Sequence, residues 1–445
     1  MKFLRRFTAL VLRIFFRRVS IAGLENIPRD APVIFAPNHP NSLVDPLFLL
    51  AFAPREVVFL AKEPLFRMPI IGRLVRWAGA IPVYRKQDAA DMSRNRETFV
   101  RVNDLLAHGG AVALFPEGVS HNDPQLRPFK TGAARMALGA TAMGPPDRPV
   151  QIVPTGLYYT DKTTFRSSAL VYFGTPISVP RVPLDADGEP PADPVHELTG
   201  RLTTALAEVT LQADQHEALA LITRAQRIHA SGDTEGPHRE LVDQFEMRQR
   251  FLAGYAVLRD RAPTRLAQLM GMVERYEAKL AAAGLSPESV APGRINSGQV
   301  FRYTIRTLAL FVVMLPLALA GIVIHFPAYR LIGPLATRFA KDRDVIATSK
   351  IFAAATAFPL TWIIVAVVVE RTFGLGWAIL ALIVTPFTGY VALAFLERLD
   401  RVIGSSRALA LLLLRPIAFQ RLVAERRLIR EAILQANDET TGRMV

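Results

Sequence analysis

The sequence contains no cysteine. That excludes disulfides, thiolate-bound zinc and a thiol nucleophile, and with them any covalent acyl-thiol intermediate. It has no glycine-rich phosphate loop, no dinucleotide fingerprint and no internal repeat, so the common nucleotide-binding modules do not apply. Acidic residues are scarce: 39 Asp and Glu stand against 53 Lys and Arg, a formal net charge of +14, and the first 18 residues hold six basic residues and no acid. A basic excess suits nucleic acid or an anionic membrane surface. Hydrophobic residues make up 51% of the chain and crowd into its C-terminal third, which decides for membrane lipids and against nucleic acid.

The 445 residues suffice for two or three domains. In residues 1–19, Phe3, Phe7, Leu10, Val11, Ile14 and Phe15 recur at helical spacing, with Arg5, Arg6, Arg13 and Arg17 largely opposite. This predicts an amphipathic helix at the membrane interface, since the arginines interrupt the unbroken apolar stretch of a signal peptide. An ordinary surface helix packed on the next domain is the alternative. Residues 20–215 alternate short apolar runs, at 33–36, 57–60, 80–83, 111–115, 151–154 and 170–173, with helical stretches near 99–106 and from Gly132 onward. That alternation predicts an α/β domain, a sheet flanked by helices. Residues 216–300 read as a helical spacer broken at Gly236-Pro237 and Ala291-Pro292-Gly293, and 301–400 as a hydrophobic membrane region. Its apolar runs, Leu308–Ile324, Ile351–Val369 and Phe373–Leu396, are each near the ~20 residues that cross a bilayer. A basic amphipathic tail, 401–445, follows.

The chemistry concentrates where apolar runs end. Asn38-His39-Pro40-Asn41-Ser42-Leu43-Val44-Asp45-Pro46 follows the first run. Histidine is the usual general base at neutral pH, and a carboxylate fixes its tautomer; on these residues alone, a purely structural His–Asp pair is the commoner reading. Pro40 disfavours helix at His39, and Ser42 or Asn41 could cap a short helix carrying Asp45. Three further stretches each read as closing a strand: Gly79–Arg85, Phe115–Ser120 with Glu117 and Gly118, and Val153–Gly156. Ligands of open α/β sheets gather at strand ends. His108 reads as a helix-end residue, and His121-Asn122-Asp123-Pro124 as a turn rather than a metal site.

Taken together and in order, these four stretches resemble the glycerolipid acyltransferase family, which includes glycerol-3-phosphate and lysophosphatidate acyltransferases. The resemblance covers roughly residues 20–215. It implies a catalytic dyad on His39 and Asp45, and acceptor contacts from Arg85, Glu117, Gly118 and Lys130, the last ahead of Gly132. An arginine fork and a lysine suit a phosphomonoester. The family's familiar form places four residues between histidine and aspartate; here there are five. The implied fold is a membrane-associated acyltransferase domain with a mixed sheet. The implied reaction moves a fatty acyl group from acyl-CoA or acyl carrier protein to a hydroxyl of glycerol-3-phosphate or lysophosphatidate, with no metal or other cofactor. A lysophospholipid with a larger headgroup as acceptor, or a silent lipid-binding module, are the rival readings.

Membrane topology is internally contested in the sequence. Pro327–Lys350 carries Arg330, Arg338, Lys341, Arg343 and Lys350, and the tail is basic, so positive-inside counting puts both in the cytoplasm. The catalytic domain also faces the cytoplasm if its thioester donors are made there. One crossing by Leu308–Ile324 cannot satisfy both demands, so this run is expected to bend near Pro316 and return, or to lie shallowly in one leaflet.

Overall fold

The computed structural model describes residues 2–85, 88, 91–230, 241–290, 297–339 and 345–441. The expected breaks at Gly236-Pro237 and Ala291-Pro292-Gly293, and the charges Lys341 and Arg343, lie outside these residues. Two compact units emerge, 1–214 with 342–348, and 215–341 with 349–445.

The first unit opens with helix α1 (Lys2–Phe15) and strand β1 (Arg18–Ala22), then β2 (Val33–Pro37), α2 (Val44–Phe52), β3 (Val58–Lys62), the short helices α3 (Pro64–Arg67) and α4 (Ile71–Trp77), and β4 (Ile81–Val83). Helix α5 (Asn95–Ala107), β5 (Ala111–Ala113), α6 (Gly132–Met143), β6 (Gln151–Tyr159), β7 (Ser168–Phe173), β8 (Ile177–Ser178) and α7 (Ala192–Glu208) complete it. The sheet order is β1-β7-β6-β2-β5-β3-β4, with β8 on β6. It is a mixed sheet: β6 runs antiparallel to β7 and β8, and the other pairs are parallel. Every residue of β2 is buried, as expected of a central parallel strand covered on both faces. Ile34 and Ala36 join a core with Val102 and Leu106 of α5, Met136 of α6 and Leu198 of α7. Phe35, facing the other way, meets Phe173. Strands β1 and β8 have no counterpart in the sequence reading, and Val153–Gly156 lies in the middle of β6 rather than at its end.

Helix α1 packs on the domain along one side and leaves a second apolar stripe open. Thr8, Leu12 and Phe15 are buried, and the helix packs on α2. Phe3, Phe7, Leu10 and Ile14 form a second stripe, Phe3 being 79% exposed.

In the second unit, α8 (His216–Ala230), α9 (Leu241–Arg261), α10 (Pro263–Ala282) and α14 (Pro416–Thr441) make a bundle. Ile228, Val273, Tyr276, Leu280, Leu422, Ile429 and Ile433 fill its core. The buried Arg426 of α14 donates to the carbonyls of Ile228 (3.1 Å) and Val290 (2.5 Å). Between the third and fourth bundle helices run α11 (Ser297–Phe339), α12 (Ile346–Phe373) and α13 (Leu375–Leu414). All three are long and apolar enough to cross a membrane. Helices α11 and α13 pack antiparallel: Phe311 meets Phe395, Ala318 clusters with Val391, and Gly321 abuts the Thr388 carbonyl, where no Cβ would fit. His325 of α11 donates from Nδ1 to the Gly321 carbonyl (2.8 Å) and accepts the Trp362 indole N–H on Nε2 (3.0 Å). Both ring nitrogens are thereby matched in an apolar setting.

The expected reversal near Pro316 is absent. Helix α11 continues through Pro316, Pro327 and Pro334. A proline removes one helical hydrogen bond, but a reversal in an apolar surrounding would strand several more backbone groups, each costing several kcal/mol. The chain keeps the helix.

Candidate active site

The geometry begins at the C-terminal end of β2. Asn38 ties the strand to β6 through a pair of bonds with Leu157, donating to its carbonyl (3.1 Å) and accepting its N–H (2.7 Å). His39 follows, its ring stacked on Phe115 at 3.9 Å between centroids. Its Nδ1 lies 2.8 Å from Oδ2 of Asp45, which is fully buried in the first turn of α2. The five-residue spacing closes because Ser42 adopts a left-handed conformation, φ 44°, uncommon for a residue with a side chain and typical of functional sites. Neither Ser42 nor Asn41 caps α2 by its side chain. Instead Asp45 reaches back and accepts the Asn41 N–H at 2.7 Å.

A third donor completes the Asp45 shell, and sequence reasoning missed it. The buried Tyr159 hydroxyl, at the end of β6, donates to Oδ1 at 2.6 Å. Burial, and then the neighbouring Asp45, push this phenol well above the ordinary tyrosine range, so it stays protonated and serves only as a donor. With Asp45 accepting from three groups, the imidazole is held with its proton on Nδ1, and Nε2 is left to accept a proton.

The Phe115–Ser120 stretch sits beneath this loop. Glu117 is buried, and its carboxylate is occupied by protein donors. Oε1 takes the His39 backbone N–H (3.0 Å), while Oε2 takes the Arg127 N–H (2.9 Å) and meets Nε2 of His121. The His121 N–H in turn donates to the His39 carbonyl at 3.1 Å. His121, read from sequence as part of a turn, is thus a buried partner of Glu117. Among the described residues no cluster of potential ligands could hold a metal.

Gly118, next along, has φ 74°, a conformation that favours glycine. Its carbonyl accepts from Nη1 of Arg85 at 2.6 Å, and a Cβ built on it would sit 3.4 Å from Cγ of Lys130. Arg85 lies two residues beyond β4. Its Nε and Nη2 fork onto Asp88 at 2.7 and 2.9 Å, and this bonding holds the Asp88 carboxyl below the usual range. His39, Asp45, Arg85, Glu117, Gly118 and Lys130 therefore converge on one region at the ends of β2, β4 and β5. The Val153–Gly156 stretch contributes from mid-strand: the Asn38 N–H donates to the Thr155 carbonyl at 3.3 Å.

Comparison with known sequences agrees in both units. Residues 18–157 match the family described as acyltransferase, and residues 222–444, half of the chain, match the glycerol-3-phosphate acyltransferase 2 C-terminal domain. Glycerol-3-phosphate O-acyltransferase 2 of Saccharomyces cerevisiae is 31% identical over 62% of this chain and 38% of its own length. Glycerol-3-phosphate O-acyltransferase 1 of the same yeast is 26% identical over 96% of this chain and 69% of its own. The crystal structure of the 1-acyl-sn-glycerophosphate acyltransferase PlsC from Thermotoga maritima aligns with 47% of this chain and 77% of that one, at 19% identity and a TM-score of 0.35. The N-terminal match spans the sheet that carries the His39 loop, the second spans the bundle and its long apolar helices, and the chain belongs to the glycerolipid acyltransferase family.

Proposed function

We propose that this chain transfers a fatty acyl group from a thioester, acyl-CoA or acyl carrier protein, to a hydroxyl of glycerol-3-phosphate. The observation that carries the reading is the His39–Asp45 pair at 2.8 Å, set in one cluster with Arg85 and Lys130. In the proposed reaction, Nε2 of His39 takes the acceptor's hydroxyl proton as that oxygen attacks the thioester carbonyl. Asp45 stabilises the imidazolium that forms. The carbon–sulfur bond then breaks, and the departing thiolate takes the proton back from His39. Both substrates are bound together, so no acyl-enzyme forms. Arg85 and Lys130 hold the acceptor's phosphate; to do so, Arg85 exchanges Asp88 for phosphate. Glu117 and Gly118 hold the loop: one fixes the His39 main chain, the other presents a carbonyl to Arg85.

Glycerol-3-phosphate is favoured over lysophosphatidate because residues 222–444 match a glycerol-3-phosphate acyltransferase C-terminal domain. The catalytic domain faces the cytoplasm in this reading, where thioester donors are made. The test is acyl transfer by purified protein from labelled acyl-CoA to each acceptor in parallel. The expected result is product with glycerol-3-phosphate, lost by ~10²–10⁴-fold in His39→Ala. A His39→Ala protein with more than half the wild-type turnover would sink the mechanism.

A further inference from the structure

Among the surfaces of the first unit, the α3–α4 segment breaks the usual rule that a short helix buries its apolar side. Of the seven residues of α4, only Gly72 is buried. It lies against the Phe66 carbonyl so closely that a Cβ would not fit, which clamps α4 onto the end of α3. The opposite face is apolar and open: Ile70 is 69% exposed, Trp77 59%, and Leu74 and Met68 43% each. Ile70, Leu74 and Trp77 fall at i, i+4 and i+7, one stripe of a helix. The exposed Arg73 flanks this stripe, while the exposed Arg76 turns toward α3 and donates from Nη1 to the Phe66 carbonyl at 2.5 Å. Between Pro64 and Gly79 there are three arginines and no acid; Arg67 pairs with Glu63, just before this stretch, at 2.6 Å.

We propose that this face docks the first unit onto an anionic lipid surface, with Trp77, Leu74 and Ile70 entering the headgroup–acyl boundary. Three features select lipid over a protein partner. The stripe joins branched aliphatics to a tryptophan, whose ring favours the membrane interface. Arg73 lies beside the stripe, where its head reaches anionic headgroups while its stem stays apolar, and the exposed Arg76 adds a positive charge next to it. And the same chain carries three helices apolar enough to be embedded, so a bilayer is always within reach. This contact is separate from the α1 stripe and lies only eight residues before Arg85.

Bromolipid quenching tests it. Trp362→Phe with Trp377→Phe leaves Trp77 as the sole tryptophan. In the purified full-length protein reconstituted into phosphatidylglycerol vesicles, bromine on the acyl chains near the interface should quench Trp77 at least twofold. Aqueous iodide should quench it little. Unchanged emission with bromolipid, together with full access to iodide, overturns the proposal. Protection from iodide without bromolipid quenching also overturns it, because protein would then cover the face. Should the tryptophan background fail to fold, Ile70→Cys carrying a polarity-sensitive fluorophore applies the same criteria in a chain with no other thiol. No substrate is present in either arm, so failure here is distinct from failure of the acyl-transfer reading.

Discussion

Glu117→Gln separates two roles for one residue. If Glu117 contacts the acceptor, its loss raises the acceptor KM and leaves the fold intact. The geometry predicts otherwise, because the carboxylate accepts from the His39 N–H, the Arg127 N–H and His121. An amide of the same shape keeps one oxygen and turns an NH2 toward a backbone donor. At least one buried N–H is then left unpaired, at a cost of about 1–3 kcal/mol. We expect thermal unfolding to move down by roughly 2–4 °C per kcal/mol lost, the sensitivity of a domain of this size. The His39 main chain is anchored on the same carboxylate, so kcat should fall by about tenfold or more, with both KM values changed less than twofold. The assay is steady-state kinetics for each substrate beside a melting curve. A Glu117→Gln protein with wild-type Tm and kcat but a tenfold higher acceptor KM refutes the bracing role.

Other perturbations probe the neighbours. Tyr159→Phe removes one of three donors to Asp45; a charge-assisted bond is worth about 1.5–3 kcal/mol, so kcat should drop roughly tenfold at unchanged KM, and a wild-type rate would show that the hydroxyl is idle. Arg85→Ala should raise the acceptor KM about tenfold or more and spare the donor KM; equal changes in both would mark Arg85 as structural. Asp88→Asn frees the Arg85 fork from its carboxylate, so the acceptor KM should fall, and an increase would mean that Asp88 aims the fork rather than competing for it.

What the sequence made legible follows from the range of the interactions. The buried runs of β2, β5, β6 and β7 are largely apolar on both faces, so composition alone marks them, and the His39–Asp45 pair is local enough to read from spacing. Strand β1 is half-buried throughout and, among the described residues, pairs with β7 alone, about 150 residues away, so no local pattern reveals it. Tyr159 was illegible for the same reason: it lies 114 residues from Asp45 on a strand already explained by its hydrophobicity. His121 misled because Asn122-Asp123-Pro124 has the composition of a turn, whereas the stretch forms only a bend at 124–125 and the preceding imidazole is buried against Glu117. Pro316 misled in the opposite sense, since a residue that breaks helices in water is tolerated where the backbone has no other partner.

The antiparallel packing of α11 on α13 carries a consequence of parity. If both helices cross the bilayer, the chain leaves through one and returns through the other, so everything from 340 to 374 begins and ends on one side. Helix α12, for all its length and hydropathy, then cannot complete a crossing. The bundle imposes the same condition independently, because α14 packs on α8, α9 and α10 and so must share their side of the membrane. An even number of crossings between residues 297 and 414 is the only solution, although α12 runs unbroken through Pro359. Single cysteines at Arg338 and Thr372 should label from the same face, opposite that of Arg250 and Arg427; labelling of 338 and 372 from opposite faces would restore three simple spans. Basic residues 330–350 would then sit across the membrane from the basic tail, and helix packing, rather than loop charge, would decide orientation.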